Sequence, residues 1–193
     1  MNILQIDNEA LYTINHGLIG QTPGLTGLVR DISIYAVYIV PVLLLVLWFL
    51  YPKKREALFL SFFAAIFAWF VITKSIIPHI WLRPRPDLAL LNIKEVIFHR
   101  PDYSFPSDHA TMLFALSFGF FIFKWKTAGW WFLALAVVVS ISRVAVGVHF
   151  PLDILGGIVS ALIGVVIIYI FQKAILKYIY QPIVWVLSKV KLA

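Results

Sequence analysis

The chain has 193 residues, 62% hydrophobic and 13% charged, with a mean hydropathy of +0.92 and a formal net charge of +7. Soluble domains carry about a quarter charged residues, so a water-soluble globule is excluded, and the length fits one membrane-embedded domain over 1–193. The lack of cysteine excludes disulfides, thiolate metal sites and a thiol nucleophile.

The start, Met1 to Asp7, has neither a basic n-region nor a small-residue cleavage site, so no removable signal peptide is expected. Ile3, Leu4, Ile6, Leu11, Ile14 and Leu18 fall roughly on one helical face, with Asp7, Asn8 and Asn15 elsewhere. That pattern predicts an amphipathic helix in the membrane interface within an amino-terminal segment 1–30. Gly20, Pro23, Gly24 and Gly27 are expected to break it. The transmembrane core, 31–171, then reads as five spans: Ile32–Tyr51, Glu56–Ile80, Pro106–Phe123, Thr127–Val148 and Pro151–Phe171. Between the second and third, Trp81 to Phe105 holds several prolines and polar residues and cannot cross hydrocarbon without unsatisfied backbone groups. Gly156, Ser160 and Gly164 form a small-residue stripe for close packing on the last span. The tail, 172–193, with Lys173, Lys177, Lys189 and Lys191, reads as a basic interfacial helix. The fold class is therefore all-α: a polytopic membrane helix bundle with amphipathic terminal helices.

Lys53, Lys54, Arg55, Lys124, Lys126 and the tail lysines share one side, which the positive-inside rule makes cytoplasmic. Their clustering in short loops makes anionic lipid the expected partner and nucleic acid an unexpected one. The opposite side has Arg30, Arg83, Arg85, Lys94 and Arg100, mixed with Asp31, Asp87, Glu95 and Asp102. It faces outward, towards the extracytoplasmic side.

Three segments on that outer side carry chemistry. In His149-Phe-Pro-Leu-Asp153, Pro151 suits the first turn of a helix, which puts Asp153 one turn past His149. A carboxylate on one imidazole nitrogen fixes the tautomer and leaves the other nitrogen as base or nucleophile. Arg143, after Ser142, lies six residues earlier, roughly 9 Å below the rim at 1.5 Å per residue. An arginine at that depth needs an internal partner, and guanidinium is suited to bidentate phosphate binding. Pro106-Ser107-Asp108-His109 opens the third span, where a helix N-terminus is a ready anion site and His109 can donate a proton to a leaving oxygen. Arg83-Pro84-Arg85-Pro86 follows the second span.

These residues resemble the signature of the type 2 phosphatidic acid phosphatase (PAP2) family, which is shared with vanadium haloperoxidases. Ser142-Arg143-x5-His149-x3-Asp153 matches the third motif throughout. Pro106-Ser107-Asp108-His109 matches the second except for Asp108 in place of glycine, a form that resembles the bacterial subgroup acting on undecaprenyl pyrophosphate. Arg85-Pro86 matches the end of the first motif. The family lysine would fall at Pro78, Lys74 lies one turn further back, and either Arg83 or His79 is left to supply its charge.

The resemblance implies an integral membrane lipid phosphatase of a bacterial cytoplasmic membrane. His149 is then the nucleophile, oriented by Asp153, and His109 the acid–base. Arg83, Arg85, Ser107, Asp108, Ser142 and Arg143 are the substrate-binding set. The expected substrate is undecaprenyl pyrophosphate, hydrolysed to the monophosphate, which would recycle the cell-wall carrier and blunt bacitracin. No metal or other cofactor is expected, and the oligomeric state is not legible. Trp81, Phe98, Tyr103, Phe105 and Phe150 are candidates to line the lipid's path. The alternatives are a phosphatidylglycerophosphate or phosphatidic acid phosphatase and, from another class, a small transporter, against which stands the lack of inverted repeats.

Overall fold

The computed structural model describes residues 2–93, 96–97 and 102–189. Lys94, Glu95, Phe98, Arg100 and Lys191, named above, lie outside the described residues. Helix α1 (Ile3–Leu18) opens on a reciprocal cap: Asn2 accepts from the Leu4 amide and Gln5 accepts from the Asn2 amide. The chain turns at Gly20, whose φ of +82° suits glycine. Helix α2 (Pro23–Leu50) starts at once, with Thr22 capping the Leu25 amide. Pro23, Gly24 and Gly27 therefore open the first span rather than break the chain, because a first-turn proline loses no hydrogen bond.

Helix α3 (Arg55–Phe67) runs on through a π-helical segment, Ala68–Ile76, giving one continuous rod over Pro52–His79. Helix α4 (Asp108–Ile122) is followed by α5 (Lys126–Ala145) and α6 (Pro151–Ile175). A second π segment, Leu176–Tyr180, joins α6 to α7 (Gln181–Lys189). The tail is thus not a separate helix. It prolongs the last span into a rod of 39 residues, about 58 Å long and longer than a bilayer is thick.

Four of these helices are long and apolar enough to cross a membrane: Pro23–Leu50, Pro52–His79, Lys126–Ala145 and Pro151–Lys189. The expected third span, α4, has only 15 residues, about 22 Å. It is the central helix, packed against α3, α5 and α6, so protein rather than lipid satisfies its surroundings. Close approach there depends on small residues. A side chain at Gly119 would collide with Ser61, and one at Gly164 with Ala68. The expected stripe on α6 is present in modified form, with Gly156 against Phe105, Gly157 against Ala110 and Ser160 buried.

Lys54 Nζ donates to the Lys124 carbonyl at 3.1 Å, which places the two basic turns at one end of the bundle. The end of the α3 rod, the start of α4 and the α5–α6 turn meet at the other end. Helix α1 lies across that second end, against α5 and α6. Its buried stripe is Asp7, Leu11 and Asn15, while Ile3, Leu4 and Ile6 are exposed. Asp7 and Asn15, which lie off the expected apolar face, are turned into the protein together with Leu11 from that face.

Candidate active site

Helix α5 ends at Ala145 and Gly147 adopts a φ of +78°, a left-handed turn that brings His149 back under the bundle rim. Pro151 then starts α6, and the Asp153 carboxylate folds back to accept the Phe150 amide at 2.8 Å. That fold sets Asp153 Oδ2 3.4 Å from His149 Nδ1, a long contact that faces the ring without a tight hydrogen bond. The other carboxylate oxygen, Oδ1, accepts from Arg83 Nη1 at 3.0 Å.

His149 lies in the turn between two spanning helices. Burial pushes its pKa below the usual 6.5; Asp153 opposes that shift, while Arg143 and Arg85 add to it. The imidazole is therefore neutral near pH 7. With Nδ1 facing the carboxylate, Nε2 carries the available lone pair.

Two guanidinium groups share the space in front of this ring. Arg143, from the last turn of α5, donates through Nη1 to both the carbonyl and the hydroxyl of Ser33, each at 3.2 Å. The deep arginine does have its internal partner, supplied by α2. Arg85 is held by Asp102 through Nε and by the Val148 carbonyl through Nη1, both at 2.7 Å. His109, the second residue of α4, completes a cleft of about 290 Å³ that is also lined by Ile34, Tyr38, Ile97 and Asp108. An adjoining cavity of about 210 Å³ shares Arg85, Asp102, Asp108 and His149 and adds Thr73, Lys74, Tyr103 and Phe105.

Lys74 Nζ pairs with Asp108 Oδ2 at 2.6 Å, while Asp108 Oδ1 is buried with no hydrogen-bond partner among the described residues. Lys74 lines the same cavity as Pro78, whereas neither Arg83 nor His79 does. The π segment that carries Lys74 winds more widely than an α-helix, so counting turns from the sequence could not place it. An apolar cavity of about 570 Å³ lies between the second half of α2 and the first half of α5, at the other end of the bundle.

The profile of the PAP2 superfamily matches residues 58–176. The chain belongs to the PAP2 superfamily. This PAP2 phosphatase is 36% identical over 151 residues to the bacitracin transport permease protein BcrC of Bacillus licheniformis, covering 76% of this chain and 71% of the relative. It is 28% identical over 189 residues to the undecaprenyl-diphosphatase BcrC of Bacillus subtilis, covering 94% and 96%. Its fold is similar to that of Aquifex aeolicus LpxE, with a TM-score of 0.66 and 21% identity over 83% of this chain and 93% of that one.

The PAP2 phosphatase thus brings Arg85, Asp108, His109, Arg143 and His149 to one cleft, with Asp153 behind His149. Three residues expected to bind substrate are placed differently. Arg83 is buried between Asp7 and Asp153, its guanidinium 3.8 Å from the centre of the Phe150 ring. It lines neither cavity, because two carboxylates draw it inward. Ser142 is buried and donates its hydroxyl to the Val139 carbonyl at 2.7 Å. Ser107 is fully buried; its amide donates to the Asp153 carbonyl at 3.0 Å, tying α4 to α6, and its hydroxyl makes no hydrogen bond among the described residues.

Among the expected access aromatics, Tyr103 and Phe105 line the second cavity, Trp81 packs against Phe105 with the rings tilted by 47°, and Phe150 is buried beneath Arg83. Sequence reasoning missed Asp7, Ser33 and Tyr38. The one signal available for Asp7 was its four-residue spacing with Leu11 and Asn15.

Proposed function

We propose that this PAP2 phosphatase hydrolyses undecaprenyl pyrophosphate to undecaprenyl phosphate at the outer face of a bacterial inner membrane, with its C-terminus in the cytoplasm. The observation that carries the reading is one cleft holding two histidines and two arginines, with a carboxylate behind His149. The relatives named for undecaprenyl-diphosphatase and bacitracin functions support the substrate.

His149 Nε2 attacks the terminal phosphorus; the bridging P–O bond breaks, and its electron pair leaves on the lipid phosphate. His109 protonates that oxygen. It then takes a proton from water, which attacks the phosphohistidine, breaks the P–N bond and releases inorganic phosphate. Arg85 and Arg143 hold the equatorial oxygens, so most of the rate comes from positioning and charge stabilisation. None of these steps routes through a metal. Removing the pyrophosphate form regenerates the cell-wall carrier and deprives bacitracin of its target.

Lys74 distinguishes a pyrophosphate from a monophosphate. The second phosphate competes with Asp108 for the ammonium group in the adjoining cavity. Phosphate release by the purified chain, with a chelator present, tests the whole reading. Undecaprenyl pyrophosphate should be preferred over phosphatidylglycerol phosphate; preference for the latter would replace the substrate assignment, and loss of turnover on chelation would overturn the metal-free steps. In the same assay Lys74→Met should lower kcat/KM for the pyrophosphate about tenfold or more, the worth of a charge-assisted hydrogen bond, and affect the monophosphate less. A uniform loss on both lipids would remove Lys74 from substrate discrimination.

Orientation has a separate test. The chain has no native cysteine, so Leu90→Cys, at a position 85% exposed, should react with an impermeant thiol reagent added outside intact cells. Labelling only after the membrane is opened would invert the topology.

A further inference from the structure

Three charged side chains lie buried behind His149, and the proposed steps do not involve two of them. Asp7, Arg83 and Asp153 are 3%, 6% and 0% exposed. Asp7 Oδ1 accepts the Leu152 amide at 2.9 Å, and its Oδ2 accepts Arg83 Nη2. Arg83 passes its other arm to Asp153. Charges survive such burial only when paired, yet here two carboxylates share one guanidinium, leaving a formal charge of −1.

The excess sits where it matters. Paired with Arg83 alone, Asp153 would belong to a neutral ion pair and offer little net field to the imidazole. Asp7 takes part of the Arg83 charge from the far side, so Asp153 keeps negative charge for His149. Asp7 also reaches the Leu152 amide beside Asp153, pinning the first turn of α6 to α1.

We infer that Asp7, acting through Arg83, is a positioning residue for phosphoryl transfer: it fixes Asp153 and sustains the negative charge that His149 needs as its ring accepts the phosphoryl group. This rests on His149 being the nucleophile. As the N–P bond forms, the ring, still carrying its Nδ1 proton, becomes a cation facing Asp153. The amino-terminal helix is then part of the catalytic apparatus and not merely a membrane anchor.

Among the described residues, the other charged or titratable groups lining the two cavities beside His149 are Arg143 from α5, Arg85, Asp102 and Tyr103 from the loop before α4, Asp108 and His109 from α4, Lys74 from the π segment and Tyr38 from α2. The test therefore changes Asp7 and leaves all of these in place. Steady-state kinetics and pH profiles would be measured on the purified full chain with undecaprenyl pyrophosphate for the wild type, Asp7→Asn, Asp7→Glu and Leu11→Ala.

Removing a negative charge disfavours the imidazolium, so protonation of His149 then requires a lower pH. Asp7→Asn should lower kcat about tenfold with KM little changed, and move the acid limb of kcat/KM down by roughly half a pH unit. Asp7→Glu should restore both. Leu11→Ala, which loosens α1 without touching the charges, should lower the melting temperature and leave the acid limb in place. An acid limb unmoved in Asp7→Asn, or moved equally by Leu11→Ala, would overturn the inference. A wild type whose activity survives His149→Ala would instead overturn the nucleophile assignment beneath it.

Discussion

Replacing His149, the proposed nucleophile, with alanine is expected to reduce turnover by on the order of 10⁴-fold or more, because its loss removes the proposed covalent route altogether. The ring is buried in the α5–α6 turn, faces Asp153 at 3.4 Å and borders both cavities. Among the described residues no other group with the same nucleophilicity shares that position, since His109 stands at the start of α4 and is the proposed proton donor to the leaving oxygen. A second readout separates lost chemistry from lost folding. A quench in alkaline detergent during turnover of the wild type should trap a base-stable, acid-labile phosphoenzyme, which His149→Ala should lack while keeping its helical content and melting temperature. A phosphoenzyme retained in the variant would move the nucleophile elsewhere.

His109→Ala is expected to cost about 10²- to 10⁴-fold in kcat, the usual range for a positioned general acid–base. The loss should depend on the leaving group in a way that the loss at His149 does not. With a lipid pyrophosphate both steps need His109, once as acid and once as base. With an activated aryl phosphate the first step needs no proton donor, so only hydrolysis of the intermediate is slowed. The variant should then release one equivalent of phenol in a burst and accumulate the phosphohistidine. Equal slowing on both substrates, with no burst, would remove His109 from the leaving-group side of the reaction.

The pairing of His149 with Asp153 was legible because four residues make one helical turn, and Pro151 announced where that turn begins. Arg143 was legible because a guanidinium six residues below a membrane rim must find a partner. Which partner it finds, Ser33 of α2, was not, since 110 residues separate them. Arg83 and Arg85 are the sharpest case. They are the same residue type two positions apart in one loop, yet Arg85 borders the cleft while Arg83 turns inward to Asp7 and Asp153. Nothing in their local sequence distinguishes them; the carboxylates that do so come from α1 and α6.

Helix α1 shows what an apolar stripe leaves open beside a membrane. In water, an apolar stripe marks the side turned towards the protein. Against hydrocarbon an apolar side chain is equally at home on either side, and buried polar groups gain from internal partners. Ile3, Leu4 and Ile6 are accordingly exposed, and Asp7 and Asn15 point inward. The sequence by itself therefore determined the membrane class, the helical architecture, the chemical inventory and the end of the bundle where it gathers, because these follow from span length, loop charge and turn spacing. Only the tertiary structure decided which charges face the substrate and which neutralise one another, because that choice depends on long-range pairing in a medium where an unpaired charge is costly.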